Sequence, residues 1–240
     1  VNARRPAPRR AALRSAPLAR TRRQRAEASP LGEHVILLHG IWMRGITLTY
    51  LSRRLQQAGY AVETMDYASV FTGFAPAVER LRERMLAIDA SAVHLVGHSL
   101  GALVALEAAR GMRRLPRGRV VCLGPPLRGS TVARGLAALP GGRWLMGHSV
   151  EPLLDGVEAW RGSRKVGVIA GKLPFGLGFT LGTLTAPHDG TVAVAETELP
   201  GIADHRTVAA SHTGMLLSSE VADLTIDFLR DGRFAPLQTR

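Results

Sequence analysis

Short apolar runs rich in β-branched residues alternate with segments of helical spacing from about residue 34 to residue 229. Residues 34–40, His-Val-Ile-Leu-Leu-His-Gly, are apolar at consecutive positions and end in glycine, which predicts a strand buried on both faces. Residues 46–58 then show helical spacing and stop before Gly59, a residue that can take the left-handed conformation closing a helix. Further strands are predicted at 61–67, 92–96, 119–123, 165–170 and 205–210, and further helices at 74–88, 100–110 and 221–229. In the 74–88 segment Val78, Leu81, Met85 and Ile88 fall on one helical face. This alternation predicts an α/β fold: a mostly parallel central sheet of about six strands with helices on both faces. Such sheets bind ligands at the carboxyl ends of their strands, and His39, Ser99, Asp189 and His212 all follow predicted strands there. Residues 127–163 break the rhythm. Leu136, Leu139, Trp144, Leu145 and Met146 lie among Gly and Pro, a pattern equally suited to a helical lid and to ordinary packing.

Composition narrows the picture. The chain has 240 residues, 46% hydrophobic and 21% charged, which suits one folded domain. One cysteine excludes an internal disulfide framework and a cysteine-clustered zinc site. No apolar run is long enough for a transmembrane helix. The net charge of +12 is unevenly spread: residues 1–30 hold nine Arg against Glu27 alone. The rest of the chain is only mildly basic and carries no nucleic-acid footprint. An Arg/Pro/Ala-rich segment without aromatics cannot bury enough apolar surface to offset its ordering entropy. The division expected is therefore a disordered basic tail at 1–30, a folded domain at 31–235 and a short C-terminal tail at 236–240. Residues 11–19 are interrupted by Arg14 and Pro17, so no secretory leader is expected and the expected location is cytoplasmic. The arginine-rich, acid-poor composition leaves an organelle transit peptide open, and contact with a membrane is expected to be peripheral at most.

The chemistry gathers around Gly97-His98-Ser99-Leu100-Gly101, a G-x-S-x-G motif between a strand and a helix. A serine nucleophile has to project from a sharp turn above the sheet, and a side chain two residues to either side would meet neighbouring backbone. Serine also needs a base. Of eight histidines, His34 and His94 start strands at the wrong edge, His39 precedes the serine and His148 lies in the irregular 127–163 segment. His205 starts the last strand, and His98 is expected to point away from the site. His212 follows the last strand and is the expected base. The expected acid is Asp189, followed by Gly190, with Asp204 and Asp155 ranked below it. Its role is to hold the imidazole tautomer and to stabilise imidazolium. The backbone N–H groups of Ile41 and Leu100 are the expected oxyanion donors. No metal-ligand spacing and no phosphate-binding glycine loop is present, so no cofactor is expected.

Together these residues resemble the α/β-hydrolase superfamily over about residues 33–231. Residues 123–130, Leu-Gly-Pro-Pro-Leu-Arg-Gly-Ser, resemble the post-strand loop of its lipase and putative serine esterase branch, with Leu127 where that pattern has His. The resemblance implies a serine esterase or lipase-like enzyme acting on a small-molecule or lipid ester. The apolar residues Ile41, Trp42, Met43 and the 173–179 stretch are expected to line the site. One fold hosts many activities, and two alternatives stay open: an acyltransferase, and a non-catalytic binding protein tethered by its basic tail.

Overall fold

Six parallel strands form one sheet in the computed structural model of the chain, which describes residues 32–71, 73–111, 114–175 and 184–236. The strands are β1 (Glu33–Leu38), β2 (Ala61–Met65), β3 (Ala92–His98), β4 (Val120–Leu123), β5 (Val166–Gly171) and β6 (Asp204–Val208), in the order β2-β1-β3-β4-β5-β6. The basic tail expected at 1–30 lies outside the described residues. So do residues 176–179 of the apolar stretch after β5 and residues 237–240 of the expected C-terminal tail.

Alternate residues of the strands feed two cores. Ile36, Leu38, Val93, Leu95, Val120, Cys122, Val166 and Val168 pack with α2 (Phe74–Ala87) and α3 (Leu100–Ala109) on one face. Val35, Leu37, Val96, Val121, Leu123, Ile169 and Val208 pack on the other with α1 (Thr49–Gln57) and a C-terminal helix, Ser219–Asp231. Helix α3 is buried at every position but Glu107, which explains why its sequence is apolar all round rather than amphipathic.

Two boundaries matter for the site. β3 runs two residues past its expected end at 96, so that Gly97 and His98 pair with Cys122 and Leu123 of β4. The helix expected at 46–58 divides into a 3-10 turn, Gly45–Leu48, and α1. The Asp66 carboxylate accepts from Gly45 N–H at 2.7 Å and holds this turn against the end of β2.

The 127–163 segment forms three short helices, α4 (Thr131–Ala137), α5 (Gly142–Met146) and α6 (Val150–Asp155). Ser130 caps α4 by accepting from Ala133 N–H at 3.1 Å. Ala133, Leu136, Met146, Val150 and Leu153 sink into the core on the α3 side, whereas Leu139 and Trp144 stay exposed. The segment leaves and rejoins the sheet at one place: Ser130 N–H donates to Leu153 O at 2.8 Å, and Val157 N–H to Leu127 O at 2.6 Å. In chain order the C-terminal helix, Ser219–Asp231, is α7. No helix among the described residues is long and apolar enough to cross a membrane.

Phe228 of α7 is fully buried against Gly167, where an added Cβ would come within 2.6 Å of its ring, and its ring centroid lies 5.0 Å from that of Phe234. Phe228→Ala is expected to cost about 3–5 kcal/mol, because the ring leaves a cavity that rigid strand backbone cannot fill. Urea unfolding should show a lowered midpoint at unchanged slope.

Candidate active site

The carboxyl ends of β1, β3 and β4 lie side by side, with Leu38 paired to Gly97 and His98 paired to Leu123. Ser99 stands between β3 and α3 at φ 54° and ψ −121°, a conformation that a non-glycine residue rarely adopts. Its N–H is held by Leu123 O at 2.9 Å. The two flanking glycines make this turn possible. A Cβ on Gly97 would collide with Gly101 O and the Ala102 backbone, and one on Gly101 would lie 2.6 Å from the carbonyls of Leu38 and His39.

The β1 turn is fixed from below. The His39 ring is fully buried and stacked on Tyr67, with centroids 4.5 Å apart. Its Nδ1–H donates to Gly40 O at 2.9 Å, and the Tyr67 hydroxyl donates to His39 O at 2.6 Å. These bonds set Gly40 against the serine turn, where an added Cβ would lie 3.1 Å from Ser99 Cβ. Ile41 follows directly. Leu100 is the first residue of α3, so its N–H has no partner within the helix.

Asp189 and His212 are joined twice. Nδ1–H of His212 donates to Asp189 Oδ2 at 2.7 Å, and His212 N–H donates to Asp189 O at 2.9 Å. A carboxylate only accepts, so the ring proton sits on Nδ1 and the Nε2 lone pair is left available. The other carboxylate oxygen accepts from Thr191 N–H at 2.9 Å and Val192 N–H at 2.7 Å. Burial by itself raises the pKa of Asp189. The His212 ring, by charge and hydrogen bond, and the two N–H groups outweigh burial and hold the carboxyl below its ordinary value. Gly124 lies directly beneath the pair: a Cβ there would come 3.0 Å from His212 Nδ1 and 3.1 Å from Asp189 Oδ2. Among the described residues Ser99 and His212 share no hydrogen bond.

His98 corrects the sequence reading. Its ring does not leave the site but packs on His212 with centroids 4.6 Å apart, and its Nε2–H donates to His212 O at 2.9 Å. Burial, reinforced by His212, lowers its pKa to about 3, so the ring is neutral. Asp204 lies at the start of β6 with its carboxylate on His205 N–H and Phe234 N–H, and Asp155 is exposed at the end of α6. Cys122 is fully buried in β4, and burial pushes its thiol pKa up.

Beside Ser99 opens a small cavity of about 50 Å³ walled by Ile41, Trp42, Pro126, Leu136, Met146, Leu153 and Val192. Half of this wall comes from the 127–163 segment. Leu173 and Phe175, expected to line the site, are instead exposed and border none of this cavity. The Trp42 indole N–H donates to Leu145 O at 3.0 Å and ties the β1 turn to α5. Larger, more open hollows elsewhere contain none of Ser99, Asp189 or His212. Among the described residues no group of three His, Cys, Asp or Glu could hold a metal ion.

No curated protein matches the sequence. Among solved structures, the propeptide form of the lipase BlEst2 from Bacillus licheniformis is similar, with a TM-score of 0.71 and 19% identity. That match covers 89% of this chain and 53% of the lipase, so this chain spans about half its length. The metagenomic carboxyl esterase MGS0156 is similar at a TM-score of 0.57 and 18% identity, over 77% of this chain and 66% of that one. The type II thioesterase BorB from the borrelidin biosynthetic cluster is similar at 0.58 and 17%, over 85% and 93%. At these identities the likeness is one of fold. The sequence itself matches the profile of the alpha/beta hydrolase family from residue 35 in β1 to residue 212 after β6. The chain belongs to the alpha/beta hydrolase family.

Proposed function

We propose that this chain is a serine hydrolase of carboxylic esters in which Ser99 is the nucleophile, His212 the general base and Asp189 the acid that orients it. The observation that carries this reading is the pair of hydrogen bonds that His212 donates to Asp189, which favours the imidazole tautomer with its proton on Nδ1 and Nε2 available to take another. Ser99 Oγ attacks the acyl carbon as its proton passes to His212 Nε2. The tetrahedral oxyanion is met by the N–H groups of Ile41 and Leu100, the latter at a helix N-terminus whose dipole favours negative charge. Collapse breaks the ester C–O bond. His212 returns the proton to the leaving alcohol, and an acyl-enzyme remains. Water then attacks the acyl carbon, losing a proton to His212 Nε2, and as the acyl–Oγ bond breaks that proton passes to Ser99 Oγ, which releases the acid and restores the serine.

The cavity wall favours an uncharged, apolar acyl group, from a small-molecule or lipid ester, in keeping with the lipase and esterase branch. Its small volume favours short acyl chains over long ones. A p-nitrophenyl ester series from acetate to palmitate is expected to give its highest kcat/KM at short to medium chain length and to fall steeply at palmitate. The matching thioesters and an added alcohol acceptor extend the test. Acyl transfer without hydrolysis would favour a transferase, and no turnover of any ester or thioester would overturn the reading.

A further inference from the structure

We propose that His98 is a positioning residue that holds the base over the nucleophile by donating its Nε2–H to the backbone carbonyl of His212. This inference rests on the reading of His212 as general base. Asp189 grips His212 at its ring and at its N–H. Neither bond fixes the carbonyl, so the residue could still tilt about those two points. The third point of support is His98 Nε2–H on His212 O at 2.9 Å. A carbonyl only accepts, so the proton of a neutral His98 sits on Nε2 and Nδ1 carries a lone pair. That Nδ1 is buried without a hydrogen-bond partner and faces the β1 turn, 3.2 Å from where a Cβ on Gly40 would lie. The ring thus fills the space between the turn carrying Ile41 and the loop carrying His212.

The arrangement has a purpose that a surface histidine would not serve. His98 precedes Ser99 in the chain, so nucleophile and base are linked by one residue and one hydrogen bond, although 114 positions separate His98 from His212. A displacement of the 209–213 loop relative to Ser99 has to break that bond. The charged and titratable groups facing the ring are His212, Asp189 and His39. A neutral ring at this place lets His212 accept a proton without a like charge packed against it. A cation held there would oppose the transfer.

The test compares His98→Phe with His98→Gln. Phe keeps an aromatic ring of similar size and removes the donor. Gln places an amide N–H near the position of Nε2 and restores it. With melting temperature monitored, His98→Phe is expected to lower kcat on a short-chain ester by about 10²-fold, the scale of a misplaced reacting group, with KM nearly unchanged. His98→Gln is expected to recover most of that loss. In a His212→Ala background, His98→Phe should add nothing, because both changes act through one group. Wild-type activity in His98→Phe would overturn the proposal, as would an equal kcat loss in the Phe and Gln variants. Histidine side-chain nitrogen NMR on the unmodified protein gives a further test, with the resonance assigned through His98→Gln. His98 should stay in the Nε2–H form from about pH 5 to about pH 9, outside the usual behaviour of a free imidazole. Titration in that range, or an Nδ1–H form, would overturn the proposal even if His98→Phe failed to fold. Full activity in His212→Ala would instead reject the base assignment, a separate outcome.

Discussion

Ser99→Ala is expected to fold as the parent does and to lose kcat on a short-chain ester by on the order of 10⁶-fold. The fold should hold because Ala at φ 54° is strained much as Ser is, and Gly97 and Gly101 still supply the clearance that the turn needs. The chemistry should fail because alanine has no hydroxyl with which to attack, and the two serines nearest the site in the sequence motifs are engaged. Ser130 Oγ is engaged at the start of α4, and Ser211 Oγ accepts from Gly214 N–H. A fluorophosphonate probe should therefore label wild type at Ser99 and leave Ser99→Ala unlabelled. Peptide mapping that found the adduct on Ser130 or Ser211 would reject Ser99 as the nucleophile.

Asp189→Asn is expected to preserve the fold and lower kcat by up to about 10⁴-fold. The Asn oxygen can still accept from Thr191 and Val192 N–H, which turns its amide nitrogen toward His212. A donor at that position favours the imidazole with its proton on Nε2, where it cannot accept from Ser99. Asp204→Asn and Asp155→Asn should keep most activity, and Asp189→Asn added to His212→Ala should be little worse than His212→Ala alone. A second readout is acid stability. The folded-state pKa of Asp189 is depressed, so its contribution is present above the unfolded pKa and is lost as pH falls through the folded one. Wild type should lose melting temperature more steeply in acid than Asp189→Asn. Parallel acid profiles, or a crippled Asp204→Asn beside a mild Asp189→Asn, would mean that the acid is misassigned.

The four inner strands were legible because they are buried on both faces and read as largely apolar runs that lead into glycines, whereas the edge strands β2 and β6 are half-exposed and mixed in polarity. Ser99, Asp189 and His212 were legible as candidates because each follows a strand at one edge and sits beside glycine or small polar residues that turn the chain. His98 was not legible. Local pattern places its backbone at the end of β3, whereas the direction of its ring depends on a carbonyl far away in sequence. The reason for Gly124 was hidden likewise, since the atoms it clears belong to Asp189 and His212. The cavity wall was missed because α4, α5 and α6 have seven, five and six residues, too few turns for a helical period to emerge.

The meeting of both ends of the 127–163 excursion, at the Ser130–Leu153 and Leu127–Val157 hydrogen bonds, makes that stretch a replaceable cassette. Closing a loop whose ends already touch costs only about 0.6 kcal/mol more for each doubling of its length. Replacements between residues 130 and 153 that keep apolar side chains at the buried positions 133, 136, 146, 150 and 153 can therefore be carried without redirecting the chain on either side. Leu136, Met146 and Leu153 come from this stretch, and Ile41 and Val192 do not. Selection, or an engineer, can thus redraw half of the cavity wall in one contiguous replacement while Ser99, Asp189 and His212 keep their positions. Duplicated copies of such a gene could diverge in substrate by recombination at two neighbouring points, without accumulating substitutions across the sheet.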